Sequence, residues 1–166
     1  AWRFFFLALA LAGAQLVTPG ALAAEPIRVG VSASLTGTYA APGSDLLDGL
    51  KMWAYDVNSR GALLGRRVEI VSYDDQSDPD TSARLYEKLI SNDQVDLLIG
   101  PYASDVTLAA SEVAERHGFP MVSPSASATG IWSRGYQNVF QVDSPADRYM
   151  DLLIESASNA GLTTIA

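Results

Sequence analysis

Two apolar runs break into hydroxyl-bearing turns, Leu97-Leu98-Ile99-Gly100-Pro101-Tyr102-Ala103-Ser104 and Pro120-Met121-Val122-Ser123-Pro124-Ser125-Ala126-Ser127. A strand that ends in Gly-Pro or Ser-Pro cannot run on regularly, because proline has no N–H to give to a ladder. The chain turns at both points and offers serine hydroxyls and backbone N–H groups. Those groups suit a small anion such as a carboxylate, and by themselves they do not break bonds. A third polar turn, Ser32 to Gly43, reads either as a plain surface connection or as a loop over a small ligand, with Tyr39 as an apolar wall. It lacks the G-x-G-x-x-G spacing, and no G-x-x-x-x-G-K-[ST] occurs, so a nucleotide phosphate is not favoured.

Each candidate has a plainer role beside the chemical one. Ser104 opens a helical period, where serine is a good N-cap, and a capping hydroxyl and the free N–H groups of the first turn can face one anion together. Asp74-Asp75, with Asp78 and Asp80 close behind, could hold a metal or a phosphoryl group. The third strand ends in Gly100-Pro101 and supplies no phosphoacceptor, and Asp78 and Asp80 are more simply a helix cap and a first-turn acid. The single histidine, His117, falls near a helix end, which favours a dipole partner over a general base. No G-x-S-x-G elbow, cysteine nucleophile or zinc-type cluster is present. Trp53, Tyr55 and Tyr86 lie on helical periods and read as packing residues.

The elements that must position these turns follow from periodicity. Strands are expected at 27–31, 67–73, 95–99, 120–122 and 139–142. Helices are expected over 43–59 with Ser44 or Asp45 as cap, from Asp78-Pro79 with Ala83, Tyr86, Leu89 and Ile90 inward, over 104–117, and from Ser144-Pro145 to about Asn159. The β-α-β-α order predicts an α/β fold, a doubly wound parallel sheet. With strand order 2-1-3-4, the turns after strands one, three and four converge at the switch point, where ligands bind in such sheets.

Residues 1–23 read as a secretory signal: Arg3, the apolar core Phe4 to Leu11, and the small-residue site Ala21-Leu22-Ala23, with cleavage near Ala24. The apolar stretch is shorter than the roughly 20 residues of a spanning helix and is interrupted by Gln15, Thr18, Pro19 and Gly20. The formal charge of −8 argues against nucleic acid and anionic membranes as partners, and without cysteines the fold relies on its core. Gly135 to Pro145 departs from the alternation and reads as a crossing, so 24–143 is expected to be a first lobe and 144–166 the start of a second. The closing run Leu162 to Ala166 looks like a strand beginning, as in a piece of a longer chain.

Taken together, these motifs resemble those of the periplasmic leucine/isoleucine/valine-binding proteins of ABC transporters, with the type I solute-binding fold. The resemblance is carried by Ile27-Arg28-Val29-Gly30-Val31 leading to Leu35-Thr36-Gly37, by Asp74-Asp75-Gln76-Ser77-Asp78-Pro79, by Val95 to Pro101, by Gly118 to Ser127 and by Arg134 to Phe140. It implies two lobes closing on an amino acid or related small polar solute, a permease partner in the inner membrane, a periplasmic monomer, no cofactor and no enzymatic step. It also implies that Ser104 holds the α-carboxylate, with the turn Ser125, Ala126 and Ser127, where Ala and Thr are more usual at the outer positions. Asp147 is the nearest match to a carboxylate that helps hold the ammonium group. The aromatic of the first loop corresponds to Pro42, with Tyr39 nearby. An extracellular sensor domain for amides or amino acids is the alternative use of the same fold.

Overall fold

The computed structural model describes residues 24–164; the expected signal segment and the last two residues of the closing run lie outside it. The chain runs β1 (Ile27–Ala33), α1 (Ala40–Ser59), β2 (Val68–Asp74), α2 (Pro79–Ser91), β3 (Leu97–Ile99), α3 (Ser104–Arg116), β4 (Met121–Ser123), α4 (Thr129–Trp132), β5 (Val139–Gln141), a 3-10 turn (Ala146–Arg148) and α5 (Asp151–Asn159). All five strands are parallel, in the order β2-β1-β3-β4-β5. The register pairs Val31 with Ser72 and Ile99, Ile99 with Val122, and Val122 with Phe140. This is the expected doubly wound α/β sheet, with the added fifth strand.

The sheet buries both faces unequally. On one side Val31 and Ala33 pack under Leu47 of α1, and Ile27, Val29 and Val68 under Ala54. On the other side Leu98 and Met121 pack against Tyr86 and Leu89 of α2 and Ala110, Val113 and Ala114 of α3. Beyond α1, Val122 and Phe140 remain exposed on the first face. No described helix is long and apolar enough to cross a membrane.

Several boundaries differ from the periodic expectation. Helix α1 starts three residues early, at Ala40 rather than Gly43, with Tyr39 and not Ser44 or Asp45 at its N-cap. Pro42 is tolerated because first-turn residues need no N–H donor. Gly43 is therefore a packing glycine rather than a loop glycine: a Cβ there would lie 2.1 Å from the Ser34 carbonyl oxygen. Asp78 caps α2 as expected, its side chain accepting from Thr81 N at 2.7 Å with Pro79 at the first position. The helix expected from Ser144-Pro145 is broken into the 3-10 turn and α5, and none of α5 is buried. Tyr86 is fully buried as expected, whereas Tyr55 is exposed and Trp53 half-exposed. The four-residue α4 is too short to leave a period in the sequence.

The polar turn after β1 is pinned by Asp74 and Asp75 rather than left loose. Ser32 still belongs to β1, and it and Ser34 turn their hydroxyls away from solvent into a buried knot. Both donate to the buried Asp75 carboxyl, at 2.8 and 2.6 Å, and Ser77 N adds a third donor at 3.0 Å. Ser82 of α2 bonds Ser32 Oγ at 2.8 Å, and the Tyr86 hydroxyl donates to the Ile99 carbonyl. Burial, with the nearby Asp75 adding to it, pushes the Tyr86 phenol far above its ordinary range, so it stays protonated to make that bond. Asp74 accepts from Leu35 N, Thr36 N, Gln76 N and the Thr36 hydroxyl. Partial burial opposes its charge, but those donors outweigh it and hold its pKa below the ordinary carboxylate value. Ser77 Oγ donates to Thr36 O and accepts from Tyr39 N, so Tyr39 is placed by the turn after β2.

Two outcomes follow for the full-length protein. Gly43→Ala drives a methyl group into backbone and is expected to destabilise by about 1–3 kcal/mol or more in urea titrations; an unchanged midpoint would show that α1 can back away freely. A depressed native pKa gives Asp74 stability that is present above its unfolded pKa and lost as pH falls through the native value. Asp74→Asn should therefore lower stability at neutral pH and flatten the loss that the parent shows below about pH 4. Equal acid limbs for the two proteins would remove Asp74 from the account.

Candidate functional site

The turns after β1, β3 and β4 meet at the carboxyl edge of the sheet around an open cleft of about 470 Å³. Its lining is Tyr39, Tyr102, Ala103, Ser104, Asp105, Ser125 and Ser127. Of the residues expected from sequence, Tyr39, Ser104, Ser125 and Ser127 are thus brought together. Ala126 sits between the two serines with its side chain buried, so it can serve the cleft only through its backbone. Asp147 lies exposed on the 3-10 turn and is not part of the lining.

Ser104 is not the cap of α3. Ala103 takes that position with extended backbone, and no side chain caps the helix. Ser104 Oγ instead accepts a hydrogen bond from Ala128 N at 3.2 Å, which ties the turn after β4 to the start of α3. That bond occupies a lone pair and leaves the hydroxyl proton to donate elsewhere. Among the described residues no acceptor takes the N–H of Ser104 or Asp105, nor those of Ser125, Ala126 and Ser127. These donors and the positive end of α3 make one side of the cleft suited to an anionic oxygen.

The turn after β4 is held in place from three directions. Ser125 Oγ donates to Tyr102 O at 3.2 Å, Ser127 O accepts from Ala146 N at 2.8 Å, and Gln141 Nε2 reaches Ala126 O at 3.5 Å. Gly100 allows the two turns to approach closely, because a Cβ there would stand 3.3 Å from Ser123 Cα. Further out, Glu115 accepts from Gln137 N at 3.0 Å and Asn138 N at 2.9 Å, and those bonds hold its pKa below the ordinary value while fixing the entry to β5. His117, at the end of α3, pairs with Glu87 of α2 at 2.7 Å and is not part of the cleft lining.

Two lining residues were not expected. Tyr102 packs beside Tyr39 with ring centroids 6.3 Å apart and planes inclined at 54°, so the two form one tilted apolar wall. Asp105 lies next to Ser104, and Tyr39 OH reaches its Oδ2 at 3.4 Å while Val106 N donates to Oδ1 at 2.9 Å. Tyr102 stood inside the Gly-Pro turn already singled out, but its direction depends on how that turn closes. A first-turn acid such as Asp105 reads as a dipole partner by default.

Comparison with known proteins places the chain. A family model for periplasmic binding proteins matches residues 26–166. The Leu/Ile/Val-binding protein of Escherichia coli is 33% identical over 118 residues, covering 71% of this chain and 32% of that protein. A Leucine-, isoleucine-, valine-, threonine-, and alanine-binding protein of Pseudomonas aeruginosa is 33% identical over 136 residues, covering 82% and 35%. The chain therefore spans about a third of the length of these curated relatives. Among solved structures, the branched-chain amino acid transporter substrate binding protein of Streptococcus pneumoniae, in complex with isoleucine, superposes with a TM-score of 0.69 at 28% identity, over 72% of this chain and 34% of that one. The parallel sheet, its three converging turns and a match over nearly the whole described region lead to one conclusion: the chain belongs to the periplasmic binding protein family.

Proposed function

We propose that this chain is the leading part of a substrate-binding component of an ABC transporter, which captures a branched-chain amino acid or a related small polar solute between two lobes without transforming it. The observation that carries this proposal is the convergence of Ser104, Ser125 and Ser127 in one cleft beneath the Tyr39–Tyr102 wall. Hydroxyl and N–H donors suit a carboxylate, the aromatic wall suits an apolar side chain, and neither supplies a nucleophile with a base beside it. Each charge-assisted hydrogen bond contributes roughly 1.5–3 kcal/mol net. Three or four such bonds supply much of the about 8 kcal/mol of a micromolar complex. Apolar contacts and lobe closure add the rest.

In this proposal residues 24–143 form the first lobe and residues from 144 begin the second. Closure is a hinge motion selected by a solute that touches both lobes. The names of the relatives support a branched-chain amino acid as the solute class. The mature protein, cleaved near Ala23 and Ala24, would work in the periplasm as a monomer and deliver its solute to an inner-membrane permease.

Calorimetry of the full-length protein against branched-chain amino acids, amides, urea and small aromatic acids tests the proposal, and micromolar binding of at least one amino acid is expected. No heat with any of them would reject it. Ser104→Ala is expected to weaken that binding by about 1–3 kcal/mol with little change in melting temperature. Unchanged affinity would reduce Ser104 to the tie that holds Ala128.

A further inference from the structure

The cleft has two chemical poles. Ser104, Ser125 and Ser127 make a donor pole for an anionic oxygen. Asp105, one residue further along α3, makes an acceptor pole of opposite sign in the same lining. Its carboxyl group is exposed to the cleft, and no described lysine, arginine or histidine pairs with it. Its protein donors are Val106 N, on Oδ1, and the long contact from Tyr39 OH, on Oδ2. One neutral N–H and one long phenol contact leave carboxylate lone pairs unused. A carboxylate beside the donors also works against a solute that is only an anion. By contrast Asp147, the acid that the family resemblance would assign to the ammonium group, stands on an exposed turn outside the lining.

The geometry points to Asp105, steadied by Tyr39, as a cation-accepting subsite in the first lobe, which selects solutes that carry a protonated nitrogen as well as a carboxylate. This rests on the cleft being the solute site. Asp105 sets charge preference and Tyr39 positions it: the phenol contacts Oδ2 at 3.4 Å while its ring packs beside Tyr102. The nitrogen can be the α-ammonium of an amino acid or one at the far end of its side chain, and the chemistry at Asp105 is the same for both.

Calorimetry on the full-length protein decides the matter, using the parent, Asp105→Asn and Asp147→Asn with L-leucine, the α-keto acid of leucine and L-lysine as probes. Asparagine keeps an acceptor for Val106 N, so the melting temperature should hold. Asp105→Asn is expected to raise Kd for the amine-bearing probe by about tenfold and to leave the keto acid unchanged or tighter, with Asp147→Asn having the smaller effect. Weakening for L-leucine places the α-ammonium at Asp105, and weakening confined to L-lysine places the distal nitrogen there. Tyr39→Phe should shift the same ratio in the same direction by less. Equal shifts for keto acid and amino acid, no shift, or the larger loss in Asp147→Asn would overturn the subsite while the cleft stands. Absence of binding by all three probes to the parent would overturn the subsite together with the leucine-type solute it rests on.

Discussion

Strand β1 has β2 on one side and β3 on the other, and everything at the site depends on that placement. The chain leaves β1 over one face through α1 and leaves β3 over the opposite face through α3. Two connections that part to opposite faces cannot cover the edge between them, so a crevice opens there. Backbone N–H groups at the start of α3 and in the turn after β4 stand at that edge with no acceptor among the described residues. A polar solute fits such a place better than another layer of protein does.

The crevice is useful only if its walls hold still, and much of the buried polarity around β1 and β2 is spent on that. Asp75 draws Ser32, Ser34 and Ser77 into one buried knot, and Tyr86 links α2 to the end of β3. Each buried donor or acceptor left alone would cost about 1–3 kcal/mol, so these groups are linked to one another. The consequence for the site is indirect but firm. The turn that carries Tyr39 is braced by Asp74, Asp75 and Ser77, and the Ser125–Ser127 turn is braced by bonds from Gln141, Ala128 and Ala146. Walls held in this way present their donors to a solute without first having to be ordered.

Much of this was legible from residue order. Strong alternation of apolar runs with helical periods indicated the parallel sheet, and Gly-Pro and Ser-Pro stops marked the turns that meet. Legibility failed where contacts between distant segments override local pattern. Ser32 and Ser34 read as part of the polar turn after the first strand, but pairing of β1 with β2 brings both hydroxyls onto Asp75. Ser104 read as a cap, yet its hydroxyl is used by Ala128, a residue 24 positions later. Gly43 read as the junction of the first turn and its helix, because its requirement is set by the Ser34 carbonyl and not by its own neighbours.

By itself, then, the order of residues indicated the five strands, the longer helices, their parallel winding and which turns share an edge, since these follow from periodicity and from the handedness of crossovers. The tertiary structure alone decided which groups in those turns face the cleft. Asp105 came into the lining and Asp147 stayed outside it, and Tyr102 joined Tyr39 while the side chain of Ala126 went into the core. The reason is physical: side-chain direction at a turn is fixed by bonds to residues far away in sequence, and a one-residue step on a helix changes direction by about 100°.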